Sequence, residues 1–293
     1  MSDILLRGNS MDGGIRVFAA ITTDLVNEAQ RIHKTYPTAT AALGRTLTMS
    51  AIMGAGLKNP DDSITIQFKG DGPLGNIVAV CNNISEVRGY VANPYVDIPR
   101  KDNGKLDVGT AVGKGFLSVI RDLGMKEPYI GQVPIVTGEI AEDMTYYFAE
   151  SEQVPTAIAL GVLVNPDMSV KAAGGFMLQL MPEATDETAA RLEEILKEIK
   201  PVTTMIDSGM SAEDILFTVT DGFDMLISNK LVTPKYKCYC SKERMEKALI
   251  SIGKTELEDL IREQGSAELT CQFCDNRYTF DKTELEKLLK EAK

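Results

Sequence analysis

Tryptophan is absent from this sequence, histidine occurs once and cysteine only five times in 293 residues. The lone histidine, His33, has no serine or aspartate arranged around it in a catalytic pattern. It is expected to be a half-exposed helix residue rather than a general base. No apolar run reaches the roughly 18 residues of a membrane span. The longest weakly polar stretch is VPTAIALGVLV, residues 154 to 164. The opening MSDILLRGNSMDGG, with an acid at Asp3 and only Leu5 and Leu6 as an apolar pair, is not expected to act as a secretory signal. The expectation is a cytoplasmic protein without a membrane partner, in a compartment that keeps thiols reduced. Positive charge is also scarce. Lys and Arg number 31 against 42 Asp and Glu, for a net charge of −11, which opposes non-specific attraction to phosphate backbones or anionic lipid.

What is present is the composition of a globular protein, 44% hydrophobic and 25% charged, in a chain long enough for more than one domain. Residues 1–181 mix both kinds of element. Arg16 to Ile21 reads as a strand and Asp24 to Lys34 as a helix. After Pro37, TATAALGRTLTMSAIMGAGL predicts a longer helix with Ala42, Leu43, Leu47, Ile52 and Met53 facing a core, its glycines marking close packing. Short strands follow at 63–68, 77–81, 86–92, 117–120, 132–136, 158–164 and 176–181, separated by turn signals, with a helix over 139–150. Strands outnumber regular βα alternations, so the fold class is α+β: a mixed sheet-and-helix N-terminal domain.

Pro182 opens a strand-poor segment, 182–231, read as a helical linker. Thr185 or Asp186 caps a helix whose Leu192, Ile195, Leu196 and Ile199 share one side, and Pro201 ends it. Ser211 with Asp214 marks another helix carrying Ile215, Leu216 and Val219. Such short amphipathic helices must lay their apolar stripes on a neighbouring domain. Residues 232–293 form a third segment, with twelve basic and twelve acidic residues. Three short helices are expected there, starting at Ser241, Thr255–Glu258 and Thr283–Glu286, with strands at 268–271 and 278–280 flanking a CQFC loop.

Four of the five cysteines lie in this last segment: Cys238 and Cys240 in KCYCS, Cys271 and Cys274 in CQFC. So small a segment, with so little apolar content, folds poorly alone. Four thiolates around one Zn²⁺ would add about 10–16 kcal/mol. An all-sulfur set fits zinc or an iron–sulfur centre. Lys235, Lys237, Lys242, Arg244 and Arg277 are near in sequence and are expected to help keep the thiolates ionised. Whether the site is purely structural, or closes within each pair on oxidation, stays open. The residues alone favour a static zinc module. The fifth thiol, Cys81, ends an apolar strand and is expected to be buried and inert.

Other motifs fall short. Gly70, Gly72 and Gly75 spell G-x-G-x-x-G, but a strand follows where a dinucleotide loop needs a helix. Gly109 to Lys114 is one residue short of a phosphate loop, and Gly115 stands where Ser or Thr would bind Mg²⁺, so it reads as a surface connection. Glu193 and Glu194 are expected on a solvated helix face. No catalytic residues and no enzyme activity are identified.

KYKCYCSKERMEKALISIGKTELEDLIREQGSAELTCQFCDNRYTF closely resembles the zinc-binding end of the redox-regulated 33-kilodalton heat-shock chaperone family. TDLVNEAQRIHKTYPTATAALGRTL, GDGPLGNIVAV, VRGYVANP, SEQVPTAIALGVLVNP and AAGGFMLQLMP extend the resemblance over nearly the whole chain. It implies an ATP-independent holdase of the stress response, inactive while reduced. It further implies one zinc per chain on Cys238, Cys240, Cys271 and Cys274. On oxidation, disulfides Cys238–Cys240 and Cys271–Cys274 form, zinc is released, and apolar surface binds unfolded or oxidatively damaged client proteins. The resemblance also implies a homodimer in the active state. Two other classes remain as alternatives. A static zinc ribbon binding nucleic acid or protein would want a basic, aromatic-bearing face, which a neutral segment beside an acidic remainder does not supply, so no nucleic-acid partner is expected. A thiol oxidoreductase using CQFC would need one reactive thiol outside a metal site.

Overall fold

A computed structural model of the chain describes residues 2–229 and 231–292. It separates into two compact units, Met1–Lys237 and Cys238–Lys293.

The first unit opens with a hairpin, β1 (Ile4–Ser10) and β2 (Ile15–Ile21). Helix α1 (Thr23–His33) follows, and its N-terminus is capped from a distance. The Asp3 carboxylate accepts from the backbone N–H of Asp24 at 2.9 Å and of Leu25 at 2.7 Å. Helix α2 (Pro37–Gly54) was expected to bury one face, but every residue except Pro37 and Arg45 is buried. It packs on strands of both sheets described below, so it has no solvent side. Its small residues allow this: a Cβ on Gly44 would lie 2.6 Å from Val26 and 2.9 Å from Val162. Its buried hydroxyls bond back to the helix, Thr46 to the carbonyl of Ala42 and Thr48 to that of Gly44, both at 2.9 Å.

Next come β3 (Ser63–Gly70), β4 (Asn76–Asn82), β5 (Glu86–Val91), a short α3 (Val108–Val112), β6 (Gly115–Asp122) and β7 (Tyr129–Ile135). Helix α4 (Ile140–Tyr147) runs on into a π-helical turn, Phe148–Glu152, before β8 (Thr156–Val164) and β9 (Val170–Leu180). Three helices follow, α5 (Asp186–Glu198), α6 (Val202–Asp207) and α7 (Ala212–Val219), then β10 (Met225–Ile227) and β11 (Lys235–Tyr236). The strands form a sheet in the order β10-β1-β2-β9-β8 and another in the order β11-β5-β4-β3-β6-β7. All pairings are antiparallel except β11 on β5. The α+β expectation therefore holds. Among the described residues, no helix is long and apolar enough to cross a membrane.

The helices between 182 and 231 do lay their apolar stripes on a sheet. Leu192, Met205, Ile206, Ile215, Leu216 and Val219 are buried with Leu6, Ile15, Val17, Phe176 and Leu178 of the β10-β1-β2-β9-β8 sheet. Their caps are those the sequence marks: Thr185 accepts from Thr188 N–H, and Ser211 and Asp214 form a capping box. Pro201 ends α5 and also opens α6, which the sequence reading did not foresee. Glu193 and Glu194 are exposed. Strands β10 and β11 form a strap joining the edges of both sheets. On it the Tyr236 hydroxyl donates to the carbonyl of Gly89 at 2.7 Å. His33 corrects its expectation: it is only 8% exposed, and its Nε2 lies 3.0 Å from the Tyr236 hydroxyl, because the last turn of α1 faces β11.

The two glycine motifs turn out to be one joint. The G-x-G-x-x-G run is a turn between strands, as expected. The 109–114 connection, expected on the surface, instead begins as α3 with Val108, Ala111 and Val112 buried. A Cβ on Gly70 would lie 1.8 Å from the Val112 carbonyl oxygen, and one on Gly72 2.4 Å from that of Ala111. Lys114 N–H donates to the Asp71 carboxylate at 2.7 Å, closing the contact.

The second unit contains α8 (Lys242–Ser251), α9 (Lys254–Glu263), the hairpin β12 (Ser266–Thr270) and β13 (Arg277–Asp281), and α10 (Lys282–Leu289). Ser241 caps α8 as expected. The other two caps are corrected. Gly253 precedes α9 without a side-chain cap, and the box on α10 is Asp281 with Glu284. Strand β13 continues to Asp281, so Thr283 is already inside the helix. The buried apolar core of this unit consists of Leu249, Leu257, Ala267, Phe280, Leu285 and Leu288.

Backbone oxygen leaves no room at Gly70, so Gly70→Ala should destabilise the first unit by about 3 kcal/mol, as overpacking does. Urea unfolding followed by far-UV circular dichroism measures this. An unchanged midpoint would contradict the tight joint.

Candidate metal centre

Cys238 and Cys240 lie in the irregular stretch leading to the Ser241 cap of α8, and Cys271 and Cys274 in the loop between β12 and β13. That loop is a tight knuckle. The backbone N–H groups of Cys274 and Asp275 donate to the Cys271 carbonyl at 3.3 and 2.8 Å, and Cys271 N–H donates to the Asn276 carbonyl at 2.9 Å. Asp275 takes the left-handed conformation, φ 58°, that reverses the chain. The turn directs both sulfurs of C-x-x-C to one point.

The four sulfurs lie within 4.8 Å of one another. Cys238 Sγ is 3.7 Å from Cys271 Sγ, and Cys240 Sγ is 3.3 Å from Cys274 Sγ. Tetrahedral ligation with metal–sulfur bonds of about 2.3 Å puts sulfurs about 3.8 Å apart. The four thiols are therefore grouped at the scale a single ion requires, and they could hold a metal ion. Cys271 is buried and the other three are half-buried. Cys81 is also a thiol, buried in the first unit, where burial pushes it up to about 11, consistent with an inert core residue.

As thiols the four are not equivalent. Burial pushes Cys238 up to about 11 and raises Cys274 further still. Burial also works to raise Cys240, but hydrogen bonds from Tyr278 and the neighbouring thiols outweigh it and bring it down to about 7. The Tyr278 hydroxyl donates to Cys240 Sγ at 3.1 Å, and Asn276 Nδ2 approaches the same sulfur at 4.0 Å. With its proton committed there, Tyr278 is itself pushed up to about 12.

The sequence reading overlooked Tyr278. Its one visible signal was a hydroxyl on the strand that follows the C-x-x-C loop. Of the basic residues favoured instead, two are engaged elsewhere. Lys242 pairs with Glu284 at 2.5 Å and lies over the Phe280 ring, and Arg277 is 3.6 Å from Glu268.

Two outcomes follow. Tyr278→Phe removes a donor that orients a ligand sulfur and should weaken zinc affinity about tenfold in chelator competition. An unchanged affinity would make the hydrogen bond incidental. Metal uptake near neutral pH must displace protons from Cys238 and Cys274. Apparent affinity should therefore fall at least about a hundredfold between pH 8 and pH 7, and more steeply below 7, where Cys240 also takes up a proton. A flat profile would contradict thiolate ligation.

The family described as Hsp33 protein matches residues 3–281. A 33 kDa chaperonin of Clostridium beijerinckii is 47% identical over 294 residues, covering 100% of both chains. One from Geobacillus sp. (strain WCH70) is 48% identical over 296 residues, again covering 100% of both. Among solved structures, the crystal structure of the 33 kDa chaperonin (heat shock protein 33 homolog) of Thermotoga maritima superposes with a TM-score of 0.91. It shares 37% identity and covers 99% of each chain. With a family match from residue 3 to residue 281 and relatives of equal length, this chain belongs to the Hsp33 family of chaperones.

Proposed function

We propose that this chain is a redox-switched, ATP-independent holdase. The observation that carries the reading is the convergence of four thiols within 4.8 Å in a unit whose apolar core is small, six buried residues with half-buried ones around them among the described residues. When bound, zinc supplies the cross-link that such a core lacks. Cys238, Cys240, Cys271 and Cys274 are the residues that would hold it, one ion per chain.

Oxidation by a peroxide closes Cys238–Cys240 and Cys271–Cys274. Each pair gives two electrons to one peroxide, which is reduced to two waters, and no thiolate is left for the ion. The second unit then loses its main source of stability and unfolds. The strap β10–β11, which runs directly into Cys238, frays with it. Loosening of α5, α6 and α7 uncovers Leu6, Ile15, Val17, Phe176 and Leu178 on the β10-β1-β2-β9-β8 sheet, a contiguous apolar face. That face binds the exposed apolar segments of unfolding proteins. We place this activity in the cytoplasm and assign the active form as a homodimer, as in the chaperone family that the chain resembles.

The test treats the reduced, zinc-loaded chain with hydrogen peroxide at a mildly unfolding temperature. Released zinc, disulfide positions by peptide mapping and suppression of light scattering by a heat-unfolded test enzyme are followed together. The expected result is one zinc released per chain, the two disulfides named, and protection that appears with them. The mapping is stringent, because cross-pair sulfurs are also near one another, Cys238 to Cys271 at 3.7 Å and Cys240 to Cys274 at 3.3 Å. Cross-pair disulfides, or zinc release without protection, would overturn the reading.

A further inference from the structure

The first unit holds a cavity of about 910 Å³, bordered by the first turn of α5, that lies apart from the thiol cluster. That volume is in the range of small-molecule sites. Its walls come from β2 and β9, the end of α2 and the chain just after it, β6, the π-helical turn after α4, and the first turn of α5 with the chain leading to it. They are largely apolar: Phe18, Ile52, Leu57, Phe148, Met177 and Leu180 all line it.

Three basic side chains interrupt this apolar lining, Arg16 from β2, Arg121 from β6 and the exposed Lys58 after α2. Arg121 has an acidic partner, Glu152 at 3.0 Å, which also accepts from the Tyr147 hydroxyl at 2.5 Å. Arg16 has no carboxylate partner among the described residues. The charged neighbour that acts on it is Arg7, and burial followed by this like charge lowers its hold on its proton. Arg7 in turn lies over the Phe18 ring, 5.7 Å from its centre. The Nε atoms of Arg7, Arg16 and Arg121 are all shielded from solvent without a hydrogen-bond partner. Buried donors of this kind are rare in native proteins and costly. Other acids of the lining do not relieve them: Asp62 is held by Asn59, and Asp186 is exposed in the first turn of α5.

We propose that this cavity binds a small amphiphilic anion, an alkyl-chain carboxylate, with its head on Arg16 and its chain along Phe18, Ile52 and Met177. The planar guanidinium offers parallel donors to a carboxylate, and the added negative charge offsets the Arg7–Arg16 repulsion. The apolar wall accounts for the chain. The site lies wholly within the first unit and does not rest on the redox reading.

The test uses the full chain, reduced and zinc-loaded, in isothermal titration with octanoate, with octanol (chain without charge) and with acetate (head without chain). Octanoate should bind at one saturable site per chain, at least about tenfold more tightly than either fragment. Arg16→Gln should weaken octanoate about tenfold. Leu57→Trp, at a half-buried wall position, should block it by filling the cavity, with thermal melts confirming that both variants fold. Octanol binding as tightly as octanoate, octanoate binding that is unaffected by Arg16→Gln, or no saturable binding by the unaltered chain would each overturn the proposal.

Discussion

Six buried apolar side chains, with a rim of half-buried ones around them, form the core of the Cys238–Lys293 unit among the described residues, and in our account its shape depends on what its four sulfurs hold. A core of that size rarely supplies more than about 3–5 kcal/mol, whereas a structural zinc site contributes about 10–16 kcal/mol. Sulfur–metal bonding is therefore the dominant stabilising interaction of this unit in our account. It is also chemically reversible, since the same sulfurs that bind a metal can be oxidised. In the proposed reading, stability and responsiveness reside in the same four atoms.

The first unit is built differently. Helix α2 is buried on every side and packs on both sheets, and the core around it extends through β3, β4, β6, α3 and α4. Losing one interaction there leaves many others. The outer face of the β10-β1-β2-β9-β8 sheet is covered more lightly, by three helices of which α6 and α7 are 6 and 8 residues long. Helices so short are not stable without the surface beneath them. The first unit thus grades from a robust centre to a thin helical cover. A switch that opens the chaperone stepwise would use that gradient.

The thiol cluster was legible because thiols are rare in this sequence and their spacing is distinctive. Cys238, Cys240, Cys271 and Cys274 could be grouped from one line of text. The α5 and α7 caps were legible because Thr185, Ser211 and Asp214 act on groups within three residues of themselves. What escaped depends on contacts distant in sequence. Asp3 caps α1 from the other side of a hairpin, and His33 is buried by Tyr236, which lies 203 residues away. The complete burial of α2 depends on two sheets that no local periodicity reports. Strands β10 and β11, of three and two residues, are too short to carry a pattern. Thr255 and Thr283 misled because the capping signature fits more than one frame, and the end of β13 decides between frames. Tyr278 was missed because charge drew attention to lysines and arginines, while the donor to Cys240 is a neutral phenol.

The most direct measurement of the central claim is backbone amide hydrogen exchange of the reduced chain, before and after a chelator removes its metal. The account predicts that protection across α8, α9, β12, β13 and α10 collapses while that of α2 and the strands packed on it persists. Undiminished protection in the Cys238–Lys293 unit after complete metal removal would contradict it.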